Sequence, residues 1–204
     1  MTQKLDGKPD GKLDGRTARR DRNTEAVLDT VHDMFVEGNF SPAVEEVAAR
    51  SGVSLRSVYR YFEDTEELLR MAIERRIALV DDLYVLRRIG EGTLSVRVAA
   101  LVNHRLVLHG KLGPTVRAAV QRAPYSPQIA AQTQRRRALL SEQVATHFAP
   151  ELDALGDRRG PEVAACVDAL CEFEAVELLR VHRGLTVTRT RQALITGVTA
   201  LLRP

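Results

Sequence analysis

Residues 44–62, Val44-Glu45-Glu46-Val47-Ala48-Ala49-Arg50-Ser51-Gly52-Val53-Ser54-Leu55-Arg56-Ser57-Val58-Tyr59-Arg60-Tyr61-Phe62, fold sensibly only as two short helices joined by a sharp turn. Val44, Val47 and Ala48 recur at helical spacing and give the first helix one apolar face, and Ala48 is small enough to let the second helix cross closely over it. Gly52 stands where the chain must reverse, a place where a positive φ is common and a Cβ costs energy. Val53 closes the underside of the turn, and the Ser54 hydroxyl oxygen is placed to accept from the free N–H groups of the next helix. Val58 and Phe62, four apart, point inward. An ordinary αα-hairpin has the same plan, and these positions alone leave that alternative open.

The outward surface of the second helix suits a duplex. With Val58 and Phe62 inward, Arg56, Ser57 and Arg60 face out, Tyr59 and Tyr61 flank them, and Ser54 and Leu55 form the N-terminal turn. Arginine bonds guanine edges bidentately or neutralises phosphates, hydroxyls donate to phosphate oxygens, and a helix N-terminus presents positive dipole to the backbone. The competing reading is solvated arginines and tyrosines packed on neighbouring helices; the grouping, not any single residue, carries the DNA reading. Upstream, Ala26-Val27, Thr30-Val31 and Met34-Phe35 predict a helix over 24–37 that stops at Gly38-Asn39. Downstream, Glu63-Asp64-Thr65-Glu66-Glu67 opens a long helix whose apolar stripe runs through Leu68-Leu69, Ala72-Ile73, Ile77, Val80 and Leu83-Tyr84.

With these residues the chain resembles the TetR-type transcriptional regulators. The likeness lies in Val27-Leu28-Asp29, Phe35-Val36-Glu37-Gly38, the segment from Val44 to Ser54, Val58-Tyr59-Arg60-Tyr61-Phe62 and Glu66-Glu67-Leu68-Leu69. Tyr61 stands where that family often has histidine, and Thr65 where a phosphate-contacting lysine is common. The lead-in Gly38-Asn39-Phe40-Ser41-Pro42-Ala43 also departs from the family pattern, and Pro42 is placed to start the helix, since a missing N–H is harmless in a first turn. The resemblance implies an all-α fold: a three-helix helix-turn-helix domain over residues 23–68, and a helical bundle over 69–204 for ligand binding and dimerisation. Ser54, Leu55, Arg56, Ser57, Tyr59, Arg60, Tyr61 and Thr65 are the expected DNA contacts.

Composition fits such a regulator without identifying one. The 204 residues allow a small domain of about 60 residues and a second of about 130. A net charge of +3 is too small to argue for nucleic acid, but its placement says more: residues 1–22 hold seven basic against four acidic side chains. Three near-copies of one tetrad, Lys4-Leu5-Asp6-Gly7, Lys8-Pro9-Asp10-Gly11 and Lys12-Leu13-Asp14-Gly15, cannot build a core, so residues 1–22 are expected to form a disordered basic arm. Arg16, Arg19, Arg20 and Arg22 either follow DNA phosphates or enter a minor groove, or belong to a solubilising tail without contacts. No apolar run approaches the ~18 residues that cross a bilayer, and Met1-Thr2-Gln3-Lys4 opens no signal peptide, so a cytoplasmic protein without membrane contact is expected. Cys166 and Cys171, five apart on one helix and about 140° apart around it, suit neither a disulfide nor a shared metal. Both read as small buried hydrophobes.

The rest of the chain reads as helices over about 94–108, 114–122, 127–147, 162–182 and 189–202, with loops at Gly90 to Gly92, Gly110 to Pro114, Pro124 to Pro127, Pro150, Gly156 to Pro161 and Gly184. No strand is expected. The last two helices carry apolar positions round more than one narrow stripe, Val163, Val167, Leu170, Phe173, Val176, Leu178 and Val181 on one and Ala193-Leu194, Val198 and Leu201-Leu202 on the other. Such faces are buried fully against a second copy; the resemblance implies a homodimer through these two helices, and a two-fold dimer spaces two reading helices about 34 Å apart on a palindromic operator. The resemblance also implies an effector, an unknown small molecule, inside the bundle. Tyr84, Asn103, His104, His109, Gln121, Glu174 and Glu177, polar residues on otherwise apolar helices, are the candidates to line its cavity.

Catalysis is not expected. His104 and His109 are five apart, wrong for the i, i+4 pair of a helical zinc site, and no nucleophile triad or phosphate-binding glycine pattern is present. No metal or cofactor is anticipated. Two functions remain: a repressor released from its operator by a small molecule, or a DNA-binding regulator whose bundle binds a protein partner and has no small-molecule pocket.

Overall fold

The computed structural model describes residues 11–203, with side chains from residue 15 onward. Among these residues there is no strand; the fold is all-α, and its contacts divide the chain into two compact units at the Arg75–Arg76 peptide.

In the first unit, α1 (Gly11–Val36) buries Val27, Leu28, Val31, Met34 and Phe35 on one face. It ends as glycine dictates. Gly38 takes φ +92°, its N–H bonds the Phe35 carbonyl at 3.1 Å, and the Asn39 N–H bonds the Met34 carbonyl at 2.9 Å, the paired bonds of a Schellman stop. The arm expected to be disordered over 1–22 is helical from Gly11; residues 1–10 lie outside the described residues. Arginine and alanine over 16–22 are strong helix formers, and adding turns to a helix already nucleated by its buried stretch is inexpensive.

α2 (Val44–Ser51) starts at Val44 with Ala43 as its N-cap, so Pro42, buried just ahead, precedes the helix rather than opening it. Val44, Val47 and Ala48 are buried, and Gly52 turns the chain with φ +68°. α3 (Leu55–Tyr61) is capped by Ser54, whose Oγ accepts from the Ser57 N–H at 3.3 Å. Val58 and Phe62 point into the head. α4 (Thr65–Ala78) opens with the Asp64 carboxylate accepting from the Glu67 N–H at 2.7 Å and the Glu67 carboxylate reaching back to the Glu63 N–H at 2.6 Å. It buries Leu68, Leu69, Ala72 and Ile73, and Arg75 reaches Asp29 at 3.2 Å and Glu25 at 3.4 Å on α1. The expected stripe through Val80 and Leu83-Tyr84 is not one continuous helix: α4 ends at Ala78 and a 3₁₀ turn covers Asp81–Tyr84.

The second unit is built on α5 (Leu94–Arg122), α6 (Pro127–His147), the short α7 (Ala149–Ala154), α8 (Gly156–Cys171), α9 (Phe173–Glu177) with a π turn over Leu178–His182, and α10 (Val187–Leu202). Its core joins Val98, Leu101 and Val102 of α5 to Val144 and Phe148, Val163 and Val167 of α8, and Leu194, Val198 and Leu202 of α10. Several expected breaks are absent. α5 runs through Gly110 and Pro114 because Leu108, Leu112, Thr115, Ala118 and Ala119 are all buried, and that burial outweighs the hydrogen bond proline removes. Helix also replaces loop at Pro150 and over Gly156 to Pro161, where Gly160 packs so tightly on α7 that a Cβ would sit 2.6 Å from the Leu152 carbonyl oxygen. Conversely, the helix expected over 162–182 is interrupted at Glu172, which is extended at φ −69°, ψ 161°. Cys171 is buried as anticipated; Cys166 is not, since it lies on the outer face of α8.

The loop into α5 is held by polar bonds inside the unit. The His147 Nδ1 accepts from the Gly90 N–H at 2.9 Å, which leaves the proton on Nε2 to donate to the Arg97 carbonyl at 3.0 Å. Arg97 in turn donates to the Gly92 carbonyl at 2.7 Å and pairs with Glu151.

Candidate functional site

The first unit presents α3 as an open face. Leu55, Arg56, Tyr59 and Arg60 are exposed beside the capping Ser54, Ser57 is half-buried against it, and Thr65 sits half-buried at the start of α4. Tyr59 keeps 52% of its surface in solvent, too much for a packing role. Tyr61 is turned toward α1: its hydroxyl accepts from Asn23 Nδ2 and from Arg60 Nη2, each at 3.3 Å, while the Arg20 and Arg60 guanidiniums lie 5.8 Å and 5.2 Å from its ring centre. Those two donors, Asn23 first, hold the phenol below its ordinary pKa.

Helical continuation of α1 therefore does what a loose arm would not. Arg16, Arg19, Arg20 and Asn23 line one cleft with Ser57, Arg60 and Tyr61. The sequence listed most of these side chains separately, on arm and reading helix; the fold joins them into one basic groove beside the exposed face of α3. Asn23 escaped the sequence reading because a lone amide gives no signal without the partner it holds.

The second unit holds a pocket with a cavity volume of about 70 Å³, partly open to solvent. α5 supplies Leu108, Leu112, Val116 and Ala119, α6 supplies Thr133, Arg136, Arg137 and Leu140, and the chain from Cys171 to Val176 closes it. Of the seven sequence candidates, Tyr84, His109 and Glu174 reach this wall. The other four do not. Asn103 is exposed and accepts from Arg191 Nε at 2.6 Å; Gln121 is exposed; His104 lies beside Arg105, 2.8 Å from its Nη1, without lining the pocket. Glu177 faces a neighbouring groove, where it binds His109 at 3.1 Å and pairs with Arg117. Spacing on a helix cannot tell the face toward a hole from the face toward a neighbouring helix.

The sequence reading missed Arg105, Thr133, Arg136, Arg137 and Glu172. A signal was available: Ile129, Thr133, Arg136, Leu140, Gln143 and His147 recur at alternating steps of four and three along α6, a core stripe in which four of six side chains are polar. A stripe of that kind marks a helix facing a polar interior. Burial shifts the charges here. Glu172 is raised by desolvation and then by Asp168, and Arg105 is lowered by desolvation. Among the described residues no group of three or more His, Cys, Asp or Glu could hold a metal ion, and no helix is long and apolar enough to cross a membrane.

A capped helix-turn-helix with an exposed basic reading helix, attached to a second helical unit, defines the class of helix-turn-helix DNA-binding proteins. Residues 27–72 match the family described as bacterial regulatory proteins, tetR family, and the helix-turn-helix lies within that match. Solved structures share its fold. A transcriptional regulator from Rhodococcus sp. Rha1 superposes with TM-score 0.68 at 20% identity, covering 88% of this chain and 95% of that one. A TetR-family regulator from Streptomyces coelicolor gives 0.69 at 22%, with 89% and 80% covered. A transcriptional regulator from Saccharomonospora viridis, solved in complex with choline, gives 0.71 at 18%, with 88% and 96% covered. Among curated proteins no relative matches the chain.

Proposed function

We propose that the protein is a cytoplasmic repressor that binds a palindromic operator as a homodimer and leaves it when a small molecule enters the bundle pocket. Arg56 and Arg60 read base edges in the major groove, with Ser54, Leu55, Ser57, Tyr59 and Thr65 alongside, and Arg16, Arg19, Arg20 and Tyr61 grip phosphates. Residues 23–68 then hold the reading head and residues 69–204 the effector and dimer functions. The observation that carries this reading is the continuous basic surface formed by the exposed face of α3 and the cleft it shares with α1.

The homodimer is supported by the outer faces of α8 and α10. Val163, Val167, Leu194 and Val198 are buried within the chain, yet Ala165, Cys166 and Ala169, with Ala193 and Ala200, remain exposed on the same helices. Small side chains of this kind allow close helix approach across a two-fold axis. The pocket favours a small-molecule effector over a protein partner docked on the bundle, and a regulator of the same fold has been solved with choline. A ligand acts here simply by preferring the conformation that does not fit the operator.

The test is recovery of bound DNA fragments from the genome, repeated with Arg56→Ala and Arg60→Ala. The wild-type protein should recover a palindromic site, and whichever arginine reads a base should lose about 1–3 kcal/mol of affinity on mutation. Unchanged binding by both variants overturns the assignment. Ala169→Glu should convert dimer to monomer in sedimentation and abolish operator binding with it.

A further inference from the structure

The inner face of α6 carries two side chains with an unmet donor, although Arg136 also bonds Tyr84. Thr133 and Arg136, one turn apart, line the bundle pocket, and the Thr133 Oγ1 and Arg136 Nη2 are both buried without a hydrogen-bond partner. Behind them Arg105 is only 4% exposed. Its guanidinium meets neutral groups alone: Gln143 Oε1 at 2.9 Å, the Leu140 carbonyl at 2.9 Å and His104 Nδ1 at 2.8 Å. A buried cation without a carboxylate in contact is an unfavourable arrangement for the fold by itself and a favourable one for receiving an anion.

The remaining charges do not reverse this. Arg137 is already paired with Glu174. Asp168 and Glu172 are the carboxylates whose fields reach Arg105, neither is hydrogen-bonded to it, and burial raises both, which favours their protonated forms. Nor does the pocket offer a cation a place to sit. The ring of Tyr84 already carries the Arg136 guanidinium 5.9 Å from its centre, and the ring of Phe173 is stacked on His109 at 5.3 Å, so each ring already has one face occupied and a fixed cation stands beside the first. The rest of the wall, from Leu108 through Val116 of α5 to Leu140 and Val176, is apolar.

Resting on the reading of this pocket as the effector site, we propose that its ligand is a carboxylate on an apolar body. The carboxylate accepts hydrogen bonds from Arg136 and Thr133, with Arg105 as the charge behind them, and the body lies along α5.

Calorimetric titration of the full chain with octanoate, octanol and octyltrimethylammonium tests this. Octanoate should bind, octanol at least tenfold more weakly, and the ammonium not at all. Arg136→Gln should weaken octanoate at least tenfold and leave octanol unchanged, which a merely structural arginine would not do. Equal or tighter binding of octanol, binding of the ammonium, failure of octanoate to bind, or an unaffected Arg136→Gln protein overturns the anion. Ala119→Phe fills the pocket, with Val120→Phe as the substitute should the first lower the Tm. Ligands lost in that variant but bound without charge preference leave the pocket standing and remove the anion; octanoate and octanol binding that survives it removes the effector reading itself.

Discussion

The two units solve the problem of burial in opposite ways. In the head the buried side chains are apolar, Val27, Phe35, Val58 and Leu68 among them, and its charges lie outside on α3 and α1. Every buried polar side chain among the described residues belongs to the bundle: Arg97, Arg105, Thr115, Ser126, Gln143, His147 and Thr190. A dry core with its chemistry on the surface suits a rigid body that presents side chains to a large, flat partner. A core threaded with polar groups is suited to an internal ligand and to more than one arrangement of its helices.

The largest test of that contrast is a cavity in the dry core. Phe35→Ala removes a ring that is 1% exposed and should destabilise the head by about 3–5 kcal/mol, read as lost amide protection over α1 to α4. A smaller effect is expected in the bundle from Gly160→Ala, whose methyl would meet the Leu152 carbonyl oxygen at 2.6 Å; the forced shift of α8 from α7 should cost about 1–3 kcal/mol in denaturant melts. Ser54→Ala removes the cap of α3 and should cost about 1 kcal/mol, with operator affinity falling further than stability because the first turn of the reading helix loosens.

Acid should separate the units most finely. In the bundle, burial pushes His104 down to about 4 and also lowers His147. Burial disfavours the charged form of each ring, so the stability they contribute is complete above the unfolded value of about 6.5 and is lost as pH falls below it, for His104 toward 4. Asp168 and Glu172, raised by burial, favour the folded state as they protonate and soften that fall. In the head, the hydrogen bond from Arg50 holds Glu37 below its ordinary value of 4.5, a contribution present above 4.5 and lost only beneath it. Amide exchange between pH 7.5 and 5 should therefore show the bundle loosening while the Glu37–Arg50 contact is still intact, and His104→Gln should reduce the change in the bundle.

The helix-turn-helix was legible because every signal for it is local. Ala48, Gly52, Ser54 and Val58 lie within eleven residues, and cap, turn and inward face each follow from the neighbours of one position. The bundle was legible in class and not in detail. Pro114 looked like a boundary and lies inside α5, while Glu172, which carries no breaker signal, interrupts a helix that the apolar pattern ran straight through. Three of seven effector candidates reached the pocket, and Arg105, Arg136 and Arg137, which line it, were not among the seven.

The sequence by itself determined the all-α class, the capped turn and the outward face of α3, since each depends on backbone preferences and periodicities that act over a few residues. Only the tertiary structure decided that Arg16, Arg19 and Arg20 share a cleft with Tyr61, and that Thr133, Arg136 and Arg105 converge on one pocket. Helical periodicity shows which residues share a face. What lies opposite that face depends on packing between segments distant in the chain, where burial outweighs local preference.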